Sequence, residues 1–83
     1  DTEQRTKVSG DTLVRLYNLT PSETRVALML IDGKRLDQIA EELDIAQTTV
    51  VFHLKNLFRK TETNRQADLV RVLLSVPLRT TGD

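Results

Sequence analysis

The chain has 83 residues, 39% of them hydrophobic and 29% charged, and contains no cysteine. This is one small globular domain with a modest core; a disulfide scaffold, a cysteine-ligated zinc site and a wholly disordered chain are excluded. Its 12 basic and 12 acidic residues sum to zero net charge, whereas a nucleic-acid-binding domain often carries a basic excess.

Residues 1–18 read as a linker or tail. Within them, Asp11–Tyr17 can form a short helix, with Asn18 as its stop because asparagine tolerates the left-handed conformation. A stronger start follows. Thr20-Pro21-Ser22-Glu23 has the form of a capping box with proline at the first helical position. Val26, Met29 and Leu30 recur at helical spacing and Gly33 supplies a C-terminal cap, so a helix is predicted over about Ser22–Asp32.

A second helix is predicted over Leu36–Leu43, with Ile39, Ala40 and Leu43 on one face and acids on the other. Only Asp44-Ile45-Ala46 separates it from a third, over about Gln47–Arg59, whose apolar face is Val50, Leu54, Leu57 and Phe58. Two short helices joined by so short a turn match the helix-turn-helix plan, here about residues 36–55, and Ile45 must point inward to pin the turn. Thr63-Asn64-Arg65-Gln66 offers another capping box, opening a fourth helix over Asn64–Ser75 that Pro77 stops. The domain is therefore placed at residues 19–76 and a C-terminal tail at 77–83. No strand-like alternation occurs, and the fold class is all-α.

Charge is segregated along the chain. Asp37, Glu41, Glu42 and Asp44 fall in a stretch without bases, whereas Lys55, Arg59, Lys60 and Arg65 follow with Glu62 as the one acid among them. The pattern suits either ordinary solvated helix faces or a basic reading surface. If the third helix lies in a DNA major groove, the face opposite its core stripe is available for contact. Lys55 can then donate to guanine, and Val51 and Phe52 can touch thymine methyl groups. Thr48, Thr49, Arg59 and Lys60 can reach phosphates. For Phe52 the alternative is burial against the first helix.

These residues resemble a known family. Leu19-Thr20 with Glu23, Gly33, Ile39-Ala40 with Leu43 and Ile45, then Thr49-Val50, His53-Leu54, Asn56-Leu57, Lys60 and Arg65 are similar to the LuxR-type (GerE-like) helix-turn-helix domain. The resemblance covers Leu19 to Val72. It implies a four-helix domain, here with a short extra N-terminal helix, whose third helix reads the major groove of double-stranded DNA. It also implies base contacts at Val51, Phe52 and Lys55, dimerisation through the fourth helix, and an upstream sensor domain that this chain lacks. Three positions depart from the family pattern. Ala46 replaces a usual serine, and a lost N-cap costs about 0.5–2 kcal/mol. Gln38, a further candidate phosphate contact, stands where glutamate is frequent. Val51 replaces a frequent base.

His53 is the one histidine, so no metal site can be built around it. It is either a half-buried helical residue with a satisfied hydrogen bond or a phosphate contact. In the fourth helix, Ala67, Val70 and Leu74 are expected to face the core, leaving Leu69, Val72, Leu73 and Val76 as the centre of a two-fold homodimer. The alternative is that Asp11–Tyr17 folds over that second face.

The expected function is sequence-specific DNA binding as the output domain of a bacterial transcriptional regulator. The rival is a helix-turn-helix that serves protein interaction and has little DNA affinity, towards which zero net charge, Ala46 and Val51 lean. Region four of a sigma factor shares the tight turn, but the Thr-Val, His-Leu and Lys spacing favours the LuxR type. No glycine-rich phosphate loop, nucleophile motif or carboxylate–histidine pair supports an enzyme, and no cofactor is expected. No apolar run nears the roughly 20 residues of a bilayer span, nor is there a signal-peptide pattern, so a cytoplasmic location is expected.

Overall fold

The capping box at Thr20 closes as its residues dictate. Thr20 Oγ1 accepts from the Glu23 N–H at 3.1 Å, and Glu23 Oε1 accepts from the Thr20 N–H at 3.0 Å. In the computed structural model, described over residues 10–75, this box opens the second of five helices. They are α1 (Gly10–Tyr17), α2 (Pro21–Ile31), α3 (Leu36–Leu43), α4 (Gln47–Thr61) and α5 (Gln66–Leu74). No strand occurs among the described residues. Residues 1–9 of the linker or tail expected at 1–18, Val76 and the tail expected at 77–83 lie outside the described part.

The helix ends follow from backbone chemistry. Gly33 has φ 87°, and the Gly33 and Lys34 N–H groups donate back to the Leu30 and Met29 carbonyls, which ends α2. Asn18, Asp44 and Glu62 take the left-handed conformation after α1, α3 and α4 without glycine's freedom. α4 runs past Arg59 to Thr61, whose buried hydroxyl donates to the Leu57 carbonyl at 2.8 Å. The capping box expected at Thr63 does not form. Thr63 Oγ1 is hydrogen-bonded to Thr61 Oγ1 at 2.9 Å instead, and α5 begins two residues late with Arg65 as an N-cap that supplies no side-chain acceptor.

α4 is the centre of the packing. It lies against α2, α3 and α5, while α1 rests on α2 and α5 bridges α2 and α4. The core gathers Leu13 of α1, Val26, Ala27 and Leu30 of α2, Ile39 and Ala40 of α3, and Val50, Leu54 and Leu57 of α4. Leu69 and Leu73 of α5 complete it, both fully buried. This corrects two expectations. Leu69 and Leu73 are core residues, not a dimer surface, and of the stripe assigned to the core Ala67 and Leu74 are exposed while half-buried Val70 packs against the core. Val72 is half-buried beside the core stripe. The cause is the seat of α5. Leu69 and Leu73, one turn apart, lie on the side of α5 that packs against α2 and α4.

A further correction concerns Lys60. Its ammonium lies 2.6 Å from Glu23 Oε1 and 2.9 Å from the Asn18 carbonyl, with its side chain only 18% exposed. It ties α4 to the start of α2 and the end of α1, and is not placed to hold a phosphate. Burial pushes the Glu23 carboxyl upward, but the Lys60 hydrogen bond, the Thr20 N–H and the Lys60 charge outweigh it, leaving the group below its ordinary value of 4.5. A carboxylate held low in the folded state stabilises the fold above that ordinary value, and the contribution fades as pH falls through the folded-state value. Lys60→Ala is therefore expected to cost roughly 3 kcal/mol, because it strands a buried charge. Urea titrations at pH 7 and at pH 3 test this: the loss should shrink at the lower pH, and an unchanged midpoint at pH 7 would contradict the assignment.

Candidate nucleic-acid interface

The turn between α3 and α4 sets which residues of α4 stay free. Asp44 reverses the chain in the left-handed conformation, and the Ile45 N–H donates to the Ala40 carbonyl at 3.0 Å. Ile45 packs its side chain against the core, as the turn requires. Ala46 then starts α4 as an N-cap with no side-chain hydrogen bond. From there the helical period sends Val50, Leu54, Leu57 and Thr61 inward.

The opposite face carries Thr48, Phe52, Lys55 and Arg59, all exposed. Phe52 is 61% exposed, which removes the alternative that it is buried against a neighbouring helix. Phe52 is thus a large apolar side chain standing in water in the middle of a polar face. Val51 is half-buried at one edge of this face. Thr49 and His53 are half-buried along the other edge, one turn apart. Gln38 lies off this helix, on α3, where its Oε1 accepts from the Arg35 N–H at 2.9 Å. Glutamine thus caps α3, and its amide NH₂ is left for other partners. Of the expected phosphate contacts, Lys60 is committed to Glu23, Gln38 Oε1 to the cap of α3 and Arg59 Nη2 to Asn56.

Asn56 was not singled out as a site residue. Its Oδ1 accepts from Arg59 Nη2 at 3.0 Å and so steers the guanidinium on the exposed face. The spacing of three along a helix was the available signal.

The electrostatics explain how a chain of zero net charge presents a cationic face. Lys34 pairs with Glu42 at 3.2 Å, Arg35 with Asp37 at 3.3 Å and Arg71 with Asp68 at 3.2 Å, none of these residues lying on α4. Lys55 and Arg59 have no carboxylate partner among the described residues, so their charge is directed at solvent. The exposed acids Glu41 and Asp44 lie on or just after α3.

The family profile described as "Bacterial regulatory proteins, luxR family" matches residues 17–73. The "HTH-type transcriptional regulator MalT" of Cronobacter sakazakii (strain ATCC BAA-894) is 39% identical over 59 residues, which are 71% of this chain and 6% of that protein. Proteins of the same name from Yersinia pestis (strain Pestoides F) and Yersinia pseudotuberculosis (serotype O:1b, strain IP 31758) are each 44% identical over 48 residues, 58% of this chain and 5% of theirs. The chain thus spans a small part of the length of these relatives. No solved structure matches it significantly.

The two faces of α4 should separate in mutagenesis. Phe52→Ala is expected to change stability by no more than about 0.5 kcal/mol, as at other exposed positions. Leu54→Ala, two residues on, should cost about 2–5 kcal/mol. Thermal melts of both variants check this, and a large loss from Phe52→Ala would mean that its ring supports the core.

Proposed function

We propose, for a chain that belongs to the luxR family of bacterial regulatory proteins, that α4 lies in the major groove of double-stranded DNA and reads its sequence. The observation that carries this is the exposed face of α4, where Phe52 stands in water between Thr48, Lys55 and Arg59 on a helix anchored by its opposite side. Lys55 donates to guanine O6 and N7, and Phe52 with the edge residue Val51 meets thymine methyl groups. Thr48, Thr49, Arg59 and the free amide of Gln38 hold phosphates and set the register.

In this reading the domain is the output part of a transcriptional regulator, acting in the cytoplasm, with signal sensing performed elsewhere in a longer protein. It binds as a homodimer on half-sites about 10 base pairs apart. α5 supplies the contact through its outward residues Ala67, Arg71 and Leu74, with Val70 at their edge. The names of the MalT relatives, which call them transcriptional regulators, support the reading.

Zero net charge, the uncapped Ala46 and the apolar Val51 favour a second reading, a helix-turn-helix that binds protein. One experiment separates the two. Selection from random duplexes should yield a two-fold symmetric motif. Lys55→Ala should then cost about 1–3 kcal/mol and relax preference at one position per half-site, and Arg59→Ala should weaken all sequences alike and lower the salt slope by about 0.9. Feeble binding without a motif, even at low salt, would favour the protein-binding module.

A further inference from the structure

His53 is half-buried on the flank of α4, between the core stripe and the exposed face, one turn after Thr49. Its Nδ1 is fully buried and has no hydrogen-bond partner. Its Nε2 makes no bond to the rest of the protein either, yet it is not a buried orphan, so it opens to solvent. Phe52 lies edge-on to the imidazole, with ring centroids 5.7 Å apart and planes at 60°.

A neutral imidazole carries one N–H and one bare nitrogen. A proton on Nδ1 would bury an N–H that faces no acceptor. Native interiors leave buried donors orphaned more rarely than buried acceptors. The bare nitrogen therefore belongs inside and the proton outside.

We infer that His53 is held as the neutral tautomer protonated on Nε2, and that this N–H donates to a phosphate oxygen at the edge of the groove. The Thr49 hydroxyl, on the same flank one turn earlier, is the second donor to that phosphate. The inference rests on the DNA reading of α4 and adds to it a positioning contact of a different kind. Lys55 and Arg59 bring charge and displace counterions, whereas a neutral donor displaces none. His53 fixes the rotational setting of α4 in the groove through geometry and leaves the salt dependence unchanged.

Glutamine and asparagine discriminate between the two ring atoms. The amide of His53→Gln reaches the place of Nε2, and that of His53→Asn stops at the buried place of Nδ1. Two measurements test the inference. Because the chain holds a single histidine, a long-range proton–nitrogen correlation on the ¹⁵N-labelled chain reads its tautomer without DNA or substitution. The expected spectrum shows a bare Nδ1 and a protonated Nε2 at neutral pH; a protonated Nδ1 overturns the inference.

Dissociation constants of the parent, His53→Gln and His53→Asn, on duplexes selected with the parent, are then taken across a salt series. His53→Gln should stay within about twofold of the parent and His53→Asn should bind about tenfold more weakly, the scale of one lost hydrogen bond, with parallel salt slopes. Equal losses in both variants, or a slope reduced by about 0.9 as for a lost charged contact, overturn the neutral-donor assignment. A parent that selects no duplex overturns the DNA reading itself, and with it the phosphate contact, while the spectrum still decides the tautomer.

Discussion

Glu23 is a carboxylate almost wholly withdrawn from water, and its neighbours are arranged to keep it charged. The N–H of Thr20 and the ammonium of Lys60 reach the same oxygen, and Lys60 also holds the carbonyl that closes α1. A desolvated charge tolerates little displacement of its partners. Three distant parts of the chain, the end of α1, the start of α2 and the last turn of α4, are thereby fixed at one point. The other end of α4 is fixed by Ile45 in the turn from α3. A helix clamped at both ends cannot roll about its axis, so the side that Phe52 and Lys55 occupy is set by groups far from them.

Much of this was legible in the sequence where the signals are local. The capping box at Thr20, the glycine after α2 and the three-residue turn each depend on residues a few positions apart, and each forms as expected. The exposed face of α4 was also legible, because four inward apolar residues determine which side remains. α5 was not. Leucines, valines and alanine surround most of its circumference, so periodicity names no unique buried stripe, and the choice is made by the groove that α2 and α4 present. Lys60 was misread for a similar reason. A lysine at the end of a basic helix reads as a phosphate ligand, and its true partner lies 37 positions earlier.

His53 occupies a middle position. Its half-burial follows from helical spacing, but of its two readings the satisfied hydrogen bond does not form, since neither ring nitrogen is bonded to another described residue. The orphaned Nδ1 is a feature of the folded chain without a sequence signature. Gln38 shows the opposite case. A residue that departs from the family pattern still caps α3 through the same side-chain oxygen that a glutamate would use.

The sparse cationic surface of α4 has a consequence for how such a protein would find its target. Sliding along a chromosome depends on a charge cloud that holds the protein near any sequence. If α4 reads DNA as proposed, Lys55 and Arg59 are the cations its exposed side offers, and the hold on arbitrary DNA would be light. A regulator built on this domain would travel mainly by release and recapture, pausing briefly at each landing. Its residence at the correct address would then depend on the fit of the groove and on pairing with a second copy.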